Sequence, residues 1–243
     1  TAWRGVAAEV DELAATDGGT TLVLPGARSA DFTWGRLTDE PLRALAASPV
    51  LVRAAAPLGH PGATRVLDHL DQLTASGRSQ PQLAAGLRRL GVSRVVVRGG
   101  LDPDVGAMDP QRVAATLAGS PGFTLTHSVG EGADRISLWR LDEPAEPVSL
   151  VPSSGLVPTA AAPEGWFALV AAGLLDPDAL TTTSDGAGAQ VRSDTLRWQA
   201  MNSGRPAARS HGPTLPPEDS RPGLVGTRDL APGGDATIGR TTR

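Results

Sequence analysis

The chain has 243 residues, 40% of them hydrophobic, which is enough for one large domain or two small ones. Its net charge is −4, every basic residue is Arg, and no basic patch is interleaved with aromatic residues, so nucleic-acid binding is not expected. The absence of cysteine excludes disulfides and thiolate metal sites, and no stretch approaches the ~20 apolar residues that span a bilayer.

The first part of the chain predicts a helix, a strand and a long loop. Apolar residues at helical spacing predict a helix over residues 2–15, which Asp17-Gly18-Gly19 ends. Residues 20–24 form a predicted buried strand that Pro25-Gly26 ends. The segment 26–62 that follows is rich in turn-forming residues yet keeps aromatic side chains, which favours an ordered functional loop.

The middle of the chain predicts the alternation of helices and strands that is typical of a layered α/β domain. The predicted elements are helices over 63–76 and 81–90, a strong strand over 92–98, a helix over 110–118, and two strands over 123–129 and 135–141. A glycine-containing turn joins the last two strands into a predicted hairpin. Ile136 and Leu138 alternate with Ser137 and Trp139, which predicts that this hairpin has one solvent-exposed face.

Beyond residue 143 the pattern predicts a strand over 148–151, a helix over 163–175, a weak strand over 180–183 and a short helix over 195–201. From residue 206 the chain is rich in Pro, Gly and Arg, which is typical of an extended or partly disordered tail. We therefore predict an α/β fold. It comprises a layered sheet with flanking helices over 1–143, including the loop 26–62, a second, smaller α/β lobe over 144–205, and an irregular C-terminal tail over 206–243.

Two Asp-Pro-Asp sequences are candidate metal sites. Asp102 and Asp104 follow the predicted strand over 92–98, as the paired aspartates of nucleotide-sugar transferases do when they hold a divalent cation. Asp176-Pro177-Asp178 repeats the pattern. Asp-Pro-Asp is also a common polar turn, and neither sequence has the further spacing of an EF-hand loop, so both interpretations stay open.

His60 lies in the loop 26–62, which also contains Asp39 and Glu40. A catalytic role and a role in bracing the loop both fit this placement. The sequence contains no G-x-S-x-G nucleophile motif and no phosphate-binding glycine motif, so nucleophilic catalysis and nucleoside-triphosphate chemistry are poorly supported.

Phe32 and Trp34 lie in the same loop and allow two interpretations. They form either a hydrophobic plug that seats the loop or a stacking platform for a sugar ring. In the second case Arg36, Asp39 and Glu40 supply hydrogen bonds to sugar hydroxyls.

Residues 31–36 read DFTWGR and residues 39–42 read DEPL. Further motifs follow in order: PLGHPG at 57–62, LGVSRVVVR at 90–98, LDP at 101–103, PE at 163–164 and SDTLR at 193–197. Together they resemble, over roughly residues 1–205, the motifs of actinobacterial α-(1→3)-arabinofuranosyltransferases, which are large membrane enzymes that build cell-wall arabinan. The chain departs from that family's pattern at Leu37-Thr38 and across 198–204.

The resemblance implies a parent protein with many transmembrane helices in a GT-C fold, a lipid-linked arabinose donor, and an acidic catalytic residue in an early extracytoplasmic loop. None of those helices is evident here, and the chain begins at Thr1 without a signal-peptide pattern. We therefore expect a piece of a longer protein, namely the extracytoplasmic (periplasmic) region that follows the membrane domain. The resemblance places no catalytic residue and no cofactor in this region.

The same resemblance implies partners: the chain's own transmembrane domain, downstream carbohydrate-binding modules and an arabinan acceptor glycan. The residues expected to contact glycan or to dock on the membrane domain are Phe32, Trp34, Arg36, Asp39, Glu40 and His60. Two alternatives stay open. One is a non-catalytic carbohydrate-binding or scaffold module, and the other is a metal-dependent glycosyltransferase that uses Asp102 and Asp104.

Overall fold

A computed structural model of the protein describes residues 2–26, 30–37, 40–53, 61–102, 108–146, 155–160, 163–183 and 191–192. The chain divides into two compact units, one over residues 1–149 and one over residues 150–243. The domain boundary placed after residue 143 stays a prediction. The tail expected over 206–243 lies outside the described residues.

The first unit alternates helices and strands along the chain. Its elements are α1 (Ala2–Asp17), β1 (Thr20–Leu24), β2 (Ala30–Phe32), β3 (Gly35–Leu37), α2 (Pro41–Leu45), β4 (Val50–Leu51), α3 (Pro61–Thr74), α4 (Leu83–Arg89), β5 (Val92–Val97), α5 (Pro110–Gly119), β6 (Phe123–Val129) and β7 (Ile136–Leu141). A one-turn 3-10 helix, Gly132–Asp134, lies between β6 and β7.

A five-stranded sheet in the order β4-β1-β5-β7-β6 forms the centre of this unit. β1 pairs in parallel with β4 and β5, whereas β7 runs antiparallel to both β5 and β6. Every residue of β5 is buried, as expected for a central strand that has helices on both faces. The predicted α/β fold with a layered sheet and flanking helices is confirmed.

The core on one face of the sheet is built by α1 and α2. Val6 and Val10 of α1 and Leu42 of α2 are fully buried and pack against Val23 and Val96 of the sheet. Successive strand residues point to opposite faces, so the neighbours of Val96 in β5 point to the other face. There α4 and α5 contact β5, and α3 contacts α5.

The prediction of a solvent-exposed face on the β6–β7 hairpin is wrong for β7. Ser137 and Trp139 are buried, as are Ile136 and Leu138. The reason is tertiary, because β7 lies inside the sheet between β5 and β6 and is covered on both faces. The strand exposed to solvent is instead the edge strand β6, in which Leu125 is 48% exposed.

The prediction of one long loop over 26–62 is also wrong in part. Within this segment β2 and β3 form an antiparallel hairpin, α2 packs on α1, and β4 joins the sheet beside β1. The strands have two or three residues and the helix has five, so none is long enough to give a periodic sequence signal.

The second unit contains β8 (Val157–Ala160), α6 (Gly165–Ala171), β9 (Thr181–Thr183) and β10 (Val191–Arg192), and β8 pairs in parallel with both other strands. The helix is shorter than the predicted span 163–175 because Gly173, with a φ of +67°, turns the chain out of it. The strand predicted over 148–151 and the helix predicted over 195–201 lie outside the described residues.

Asp176-Pro177-Asp178 is an exposed turn in the second unit. The Asp178 N–H donates to Asp176 Oδ1 at 2.8 Å, which confirms the turn interpretation of this sequence. In the part of the chain that the structure describes, no helix has both the length and the apolar character that crossing a membrane requires.

Candidate functional site

The ends of β1 and β5 bring together several of the residues that the sequence singled out, among them Phe32, Trp34 and Glu40. After β1 the chain continues to β4 on one side, and after β5 it continues to β6 on the other side. Because these connections leave in opposite directions, the two strand ends form the kind of crevice in which open α/β sheets bind ligands. We call this region the edge site: Pro25, Gly26, the β2–β3 hairpin, Glu40, Asp71, residues 98–102 and the turn 132–135.

Two glycines let the backbone close over the end of β5. A Cβ at Gly99 would lie 2.4 Å from the carbonyl oxygen of Arg135, so a larger residue requires that turn to move. Gly100 has a φ of +73°, and its N–H donates to the Ala133 carbonyl oxygen at 2.7 Å. The glycine pair therefore serves close backbone packing between the strand end and the turn 132–135.

The β2–β3 hairpin docks on the same strand end through backbone hydrogen bonds. The Thr33 N–H donates to the Gly100 carbonyl oxygen at 2.8 Å, and the Asp102 N–H donates to the backbone carbonyl oxygen of Asp31 at 3.0 Å. A β-bridge also pairs Phe32 with Leu101. These contacts hold the hairpin tip, and with it Trp34, beside Gly100.

Phe32 and Trp34 lie in different environments. Phe32 is 3% exposed and packs edge-on against Trp3, with ring centroids 6.1 Å apart. Trp34 stacks on Phe32, with centroids 4.8 Å apart and an angle of 17° between the ring planes, yet it is 59% exposed. Phe32 is thus the hydrophobic plug, while Trp34 presents an indole surface to solvent.

Arg36 pairs with Asp31 across the hairpin register. Its Nε donates to Asp31 Oδ1, and its Nη2 donates to Oδ2 at 3.2 Å. Hydrogen bonding to Asp31 and the charge of that carboxylate raise the pKa of the Arg36 guanidinium, which therefore stays charged. The Arg36 side chain is exposed, so a charged donor lies on the same hairpin as the indole.

Glu40 lies against Arg98, a buried guanidinium that the sequence pattern did not single out. Arg98 follows β5, and its Nη1 donates to Glu40 Oε2. Its Nε donates to the Pro25 carbonyl oxygen at 2.9 Å, which ties the end of β1 to the same side chain. Burial lowers the pKa of Arg98, and the charges of Glu40 and Asp71 act in the opposite direction. The one available sequence signal was an Arg that ends a run of buried valines.

Asp71 of α3 is the second buried carboxylate at the edge site. Its Oδ1 accepts a hydrogen bond from the Gly26 N–H at 2.6 Å. Burial raises the pKa of Asp71 to about 6, although the Gly26 hydrogen bond and the charge of Arg98 lower it. The carboxylate of Asp68 raises this pKa further, and Arg53, which pairs with Asp68 at 2.6 Å, lowers it.

Three of the predicted site residues, Asp39, His60 and Asp104, lie outside the described residues. Asp102 is described, and its backbone N–H belongs to the hairpin contact. Within the described ranges, no group of three or more His, Asp or Glu side chains is arranged to hold a metal ion.

A family model described as alpha-(1->3)-arabinofuranosyltransferase, N-terminal GT-C domain, matches residues 1–222. The chain belongs to this family. The resemblance carried by the DFTWGR and DEPL motifs is confirmed.

Two curated arabinofuranosyltransferases agree with this assignment. The α-(1→3)-arabinofuranosyltransferase of Mycolicibacterium smegmatis is 45% identical over 130 residues, which is 53% of this chain and 9% of that protein. The enzyme of the same name from Mycobacterium tuberculosis is 42% identical over 106 residues, which is 43% of this chain and 8% of that protein. The chain spans about a tenth of the length of these relatives.

Solved arabinofuranosyltransferase structures share the fold. The mycobacterial arabinofuranosyltransferase AftD, determined by single-particle cryo-EM, matches with a TM-score of 0.63 and 31% identity over 78% of this chain and 16% of AftD. One class of a mutant AftD matches with a TM-score of 0.64 and 32% identity over 78% of this chain and 17% of that one.

Proposed function

We propose that this chain is the extracytoplasmic part of a membrane-bound arabinofuranosyltransferase and that its edge site contacts the acceptor glycan. Membership of the arabinofuranosyltransferase family supports the activity of the parent protein. The observation that carries the glycan contact is Trp34, whose indole is 59% exposed although it stacks on a buried ring.

An indole held in this way is suited to a sugar ring. It offers a broad apolar face together with a polar N–H, which matches the apolar face and the hydroxyl rim of a sugar. Stacking on Phe32 and the backbone bonds at Gly100 restrict the side chain before a ligand arrives, so less conformational entropy is lost on binding. The exposed Arg36 supplies N–H donors for hydroxyls.

The proposed reaction of the parent protein is transfer of arabinofuranose from a polyprenyl-phosphate donor to cell-wall arabinan, in arabinogalactan or lipoarabinomannan. The catalytic carboxylate lies elsewhere in the parent protein, so this chain positions the acceptor and does not act on the reacting atoms. The proposed partners are its own transmembrane domain and downstream carbohydrate-binding modules. The proposed contact residues also include Asp39 and His60, which lie outside the described residues, and Glu40, whose carboxylate pairs with Arg98.

Calorimetry of the 243-residue chain with arabinofuranose oligosaccharides tests the glycan contact. We expect the wild-type chain to bind and Trp34→Ala to weaken binding by at least about tenfold, because a central aromatic anchor is lost. The matched control is Leu125→Ala on β6, which removes an exposed apolar side chain outside the edge site and leaves binding unchanged.

Two results would overturn the proposal. Absence of binding by the wild-type chain would favour a scaffold or docking role. Binding that Trp34→Ala leaves intact would indicate a carbohydrate-binding surface elsewhere on the chain.

A further inference from the structure

A cavity of about 300 Å³ lies between the start of α5 and the neighbouring ends of β5 and β7. Three apolar residues line it, Val97, Pro110 and Ala114, together with Gly132 and the polar residues Gln111, Arg135 and Ser137. Small-molecule pockets begin at about this size and combine an apolar floor with a few polar groups. The cavity therefore has the volume and lining of a site for one small ring.

The turn 132–135 lies between the cavity and the backbone beside the Trp34 indole. Arg135 of this turn lines the cavity. The position of a Cβ on Gly100 lies 3.2 Å from Asp134 Oδ1 and 3.8 Å from Trp34 Nε1, so the turn and the indole are neighbours. The turn 132–135 therefore contacts the backbone beside the indole through Asp134 and lines the cavity through Gly132 and Arg135.

The charges around the cavity favour a neutral occupant over an anion. A helix N-terminus attracts anions, and α5 begins here. However, Asp109 caps this helix and its Oδ1 accepts a hydrogen bond from the Gln111 N–H at 2.9 Å, so a carboxylate already lies at that end. Asp134 adds a second carboxylate on the adjoining turn. Gln111 offers a donor and an acceptor, and Arg135 offers donors, which suits hydroxyl groups.

We propose that this cavity is a second glycan subsite, which takes the sugar residue next to the one stacked on Trp34. The proposal rests on the proposed function of the edge site. The expected ligand therefore contains at least two linked neutral sugar residues. The proposal also makes Gln111 and Arg135 the residues that select for the second sugar.

The test compares the affinity of the full 243-residue chain for arabinofuranose mono-, di- and trisaccharides. We expect the disaccharide to bind at least about tenfold more tightly than the monosaccharide. Ala114→Leu fills the cavity and removes this gain while monosaccharide binding is kept. Ala115→Leu makes the same change at the exposed next residue of α5, outside the cavity lining, and keeps the gain.

Ala114 is half-buried, so Gln111→Ala serves as a second variant. The Gln111 side chain is exposed, and its backbone bond to Asp109 is unaffected by the substitution, so the variant is expected to fold. We expect it to reduce the gain between monosaccharide and disaccharide by several-fold, because hydrogen bonds to hydroxyls are lost.

The outcomes separate the two proposals. If no oligosaccharide binds, or if Trp34→Ala leaves all binding unchanged, the proposed function of the edge site fails and the second subsite fails with it. If Trp34→Ala weakens binding while Ala114→Leu and Gln111→Ala both preserve the disaccharide gain, the second subsite alone is overturned. Competition by inorganic phosphate that Ala114→Leu abolishes would identify an anion site and would also overturn it.

Discussion

The guanidinium of Arg98 and the carboxylate of Glu40 form an ion pair whose side chains are 2% and 3% exposed. The pair joins the residue that follows β5 to the residue that precedes α2. Arg98 also donates to the Pro25 carbonyl oxygen beyond β1. One buried cation therefore connects three segments of the edge site.

Arg98→Met is expected to lower the free energy of unfolding by about 3–5 kcal/mol, because it leaves a buried carboxylate without its cation. The matched control is Arg88→Met, since Arg88 pairs with Glu143, whose side chain is 77% exposed. That variant should lose less than about 1 kcal/mol. Urea unfolding measures both, and equal losses in the two variants would contradict the structural role of Arg98.

Asp71 is expected to make stability depend on pH. Its pKa is about 6 in the folded chain and about 3.9 in an unfolded one. Between these values the folded state binds more protons than the unfolded state, so the contribution of Asp71 to the free energy of unfolding falls as the pH rises. Above about pH 6 the contribution is constant.

Asp71→Asn keeps an oxygen that can accept from the Gly26 N–H and does not titrate. Relative to this variant, we expect the wild-type chain to lose on the order of 1–3 kcal/mol of stability between about pH 4 and about pH 6. Urea unfolding of both chains across this range measures the difference. A difference that stays constant with pH would show that the carboxyl group of Asp71 does not titrate in this window.

Gly99→Ala is expected to destabilise the chain by about 1–3 kcal/mol through overpacking. The added Cβ would meet backbone atoms of residues 133–135 at 2.4 to 2.6 Å, and backbone cannot move aside as a flexible side chain can. Gly5→Ala is the control, because nothing lies within 4 Å of a Cβ at this α1 position. It should instead stabilise the chain by about 0.5–1 kcal/mol. A Gly99→Ala variant that melts at the same temperature as the wild-type chain would contradict the close packing of Gly99 against the turn 132–135.

The two stacked aromatic residues are expected to differ in their contribution to stability. Phe32→Ala removes a buried ring and should cost about 3–5 kcal/mol. Trp34→Ala removes an exposed ring whose stack is worth about 1 kcal/mol. Urea unfolding of the two variants measures this difference. A loss for Trp34→Ala as large as that for Phe32→Ala would place Trp34 in the core and remove its role as a binding surface.

The elements that the sequence predicted well are those with long, regular patterns. α1, β1, β5 and α5 were predicted close to their observed bounds because each carries enough apolar residues to reveal its period. β2, β3 and β4 were missed because strands of two or three residues exist only through their pairing partners. The burial of both faces of β7 was missed because its alternation resembles that of a hairpin edge, while its place inside the sheet depends on β5.

The sequence also predicted only part of the candidate site, because contacts between residues distant in sequence decide the rest. The DFTWGR motif pointed to Phe32 and Trp34, but spacing along the chain could not show that one is buried and the other exposed. Their difference depends on Trp3, Gly100 and Leu101, which are distant in sequence. Arg98 was missed because a charged residue at a strand end usually reaches solvent, and only the fold reveals that Glu40 and Pro25 surround it.

The most direct test of the glycan contact is a nuclear magnetic resonance titration of the nitrogen-15-labelled chain with an arabinofuranose oligosaccharide. The chain has five Trp residues, each with one indole N–H, and Trp34→Phe identifies the Trp34 signal by its loss. We predict that this signal shifts and saturates as ligand is added, while the signal of the buried Trp139 does not. A Trp34 signal that stays unchanged while the oligosaccharide binds would contradict the contact.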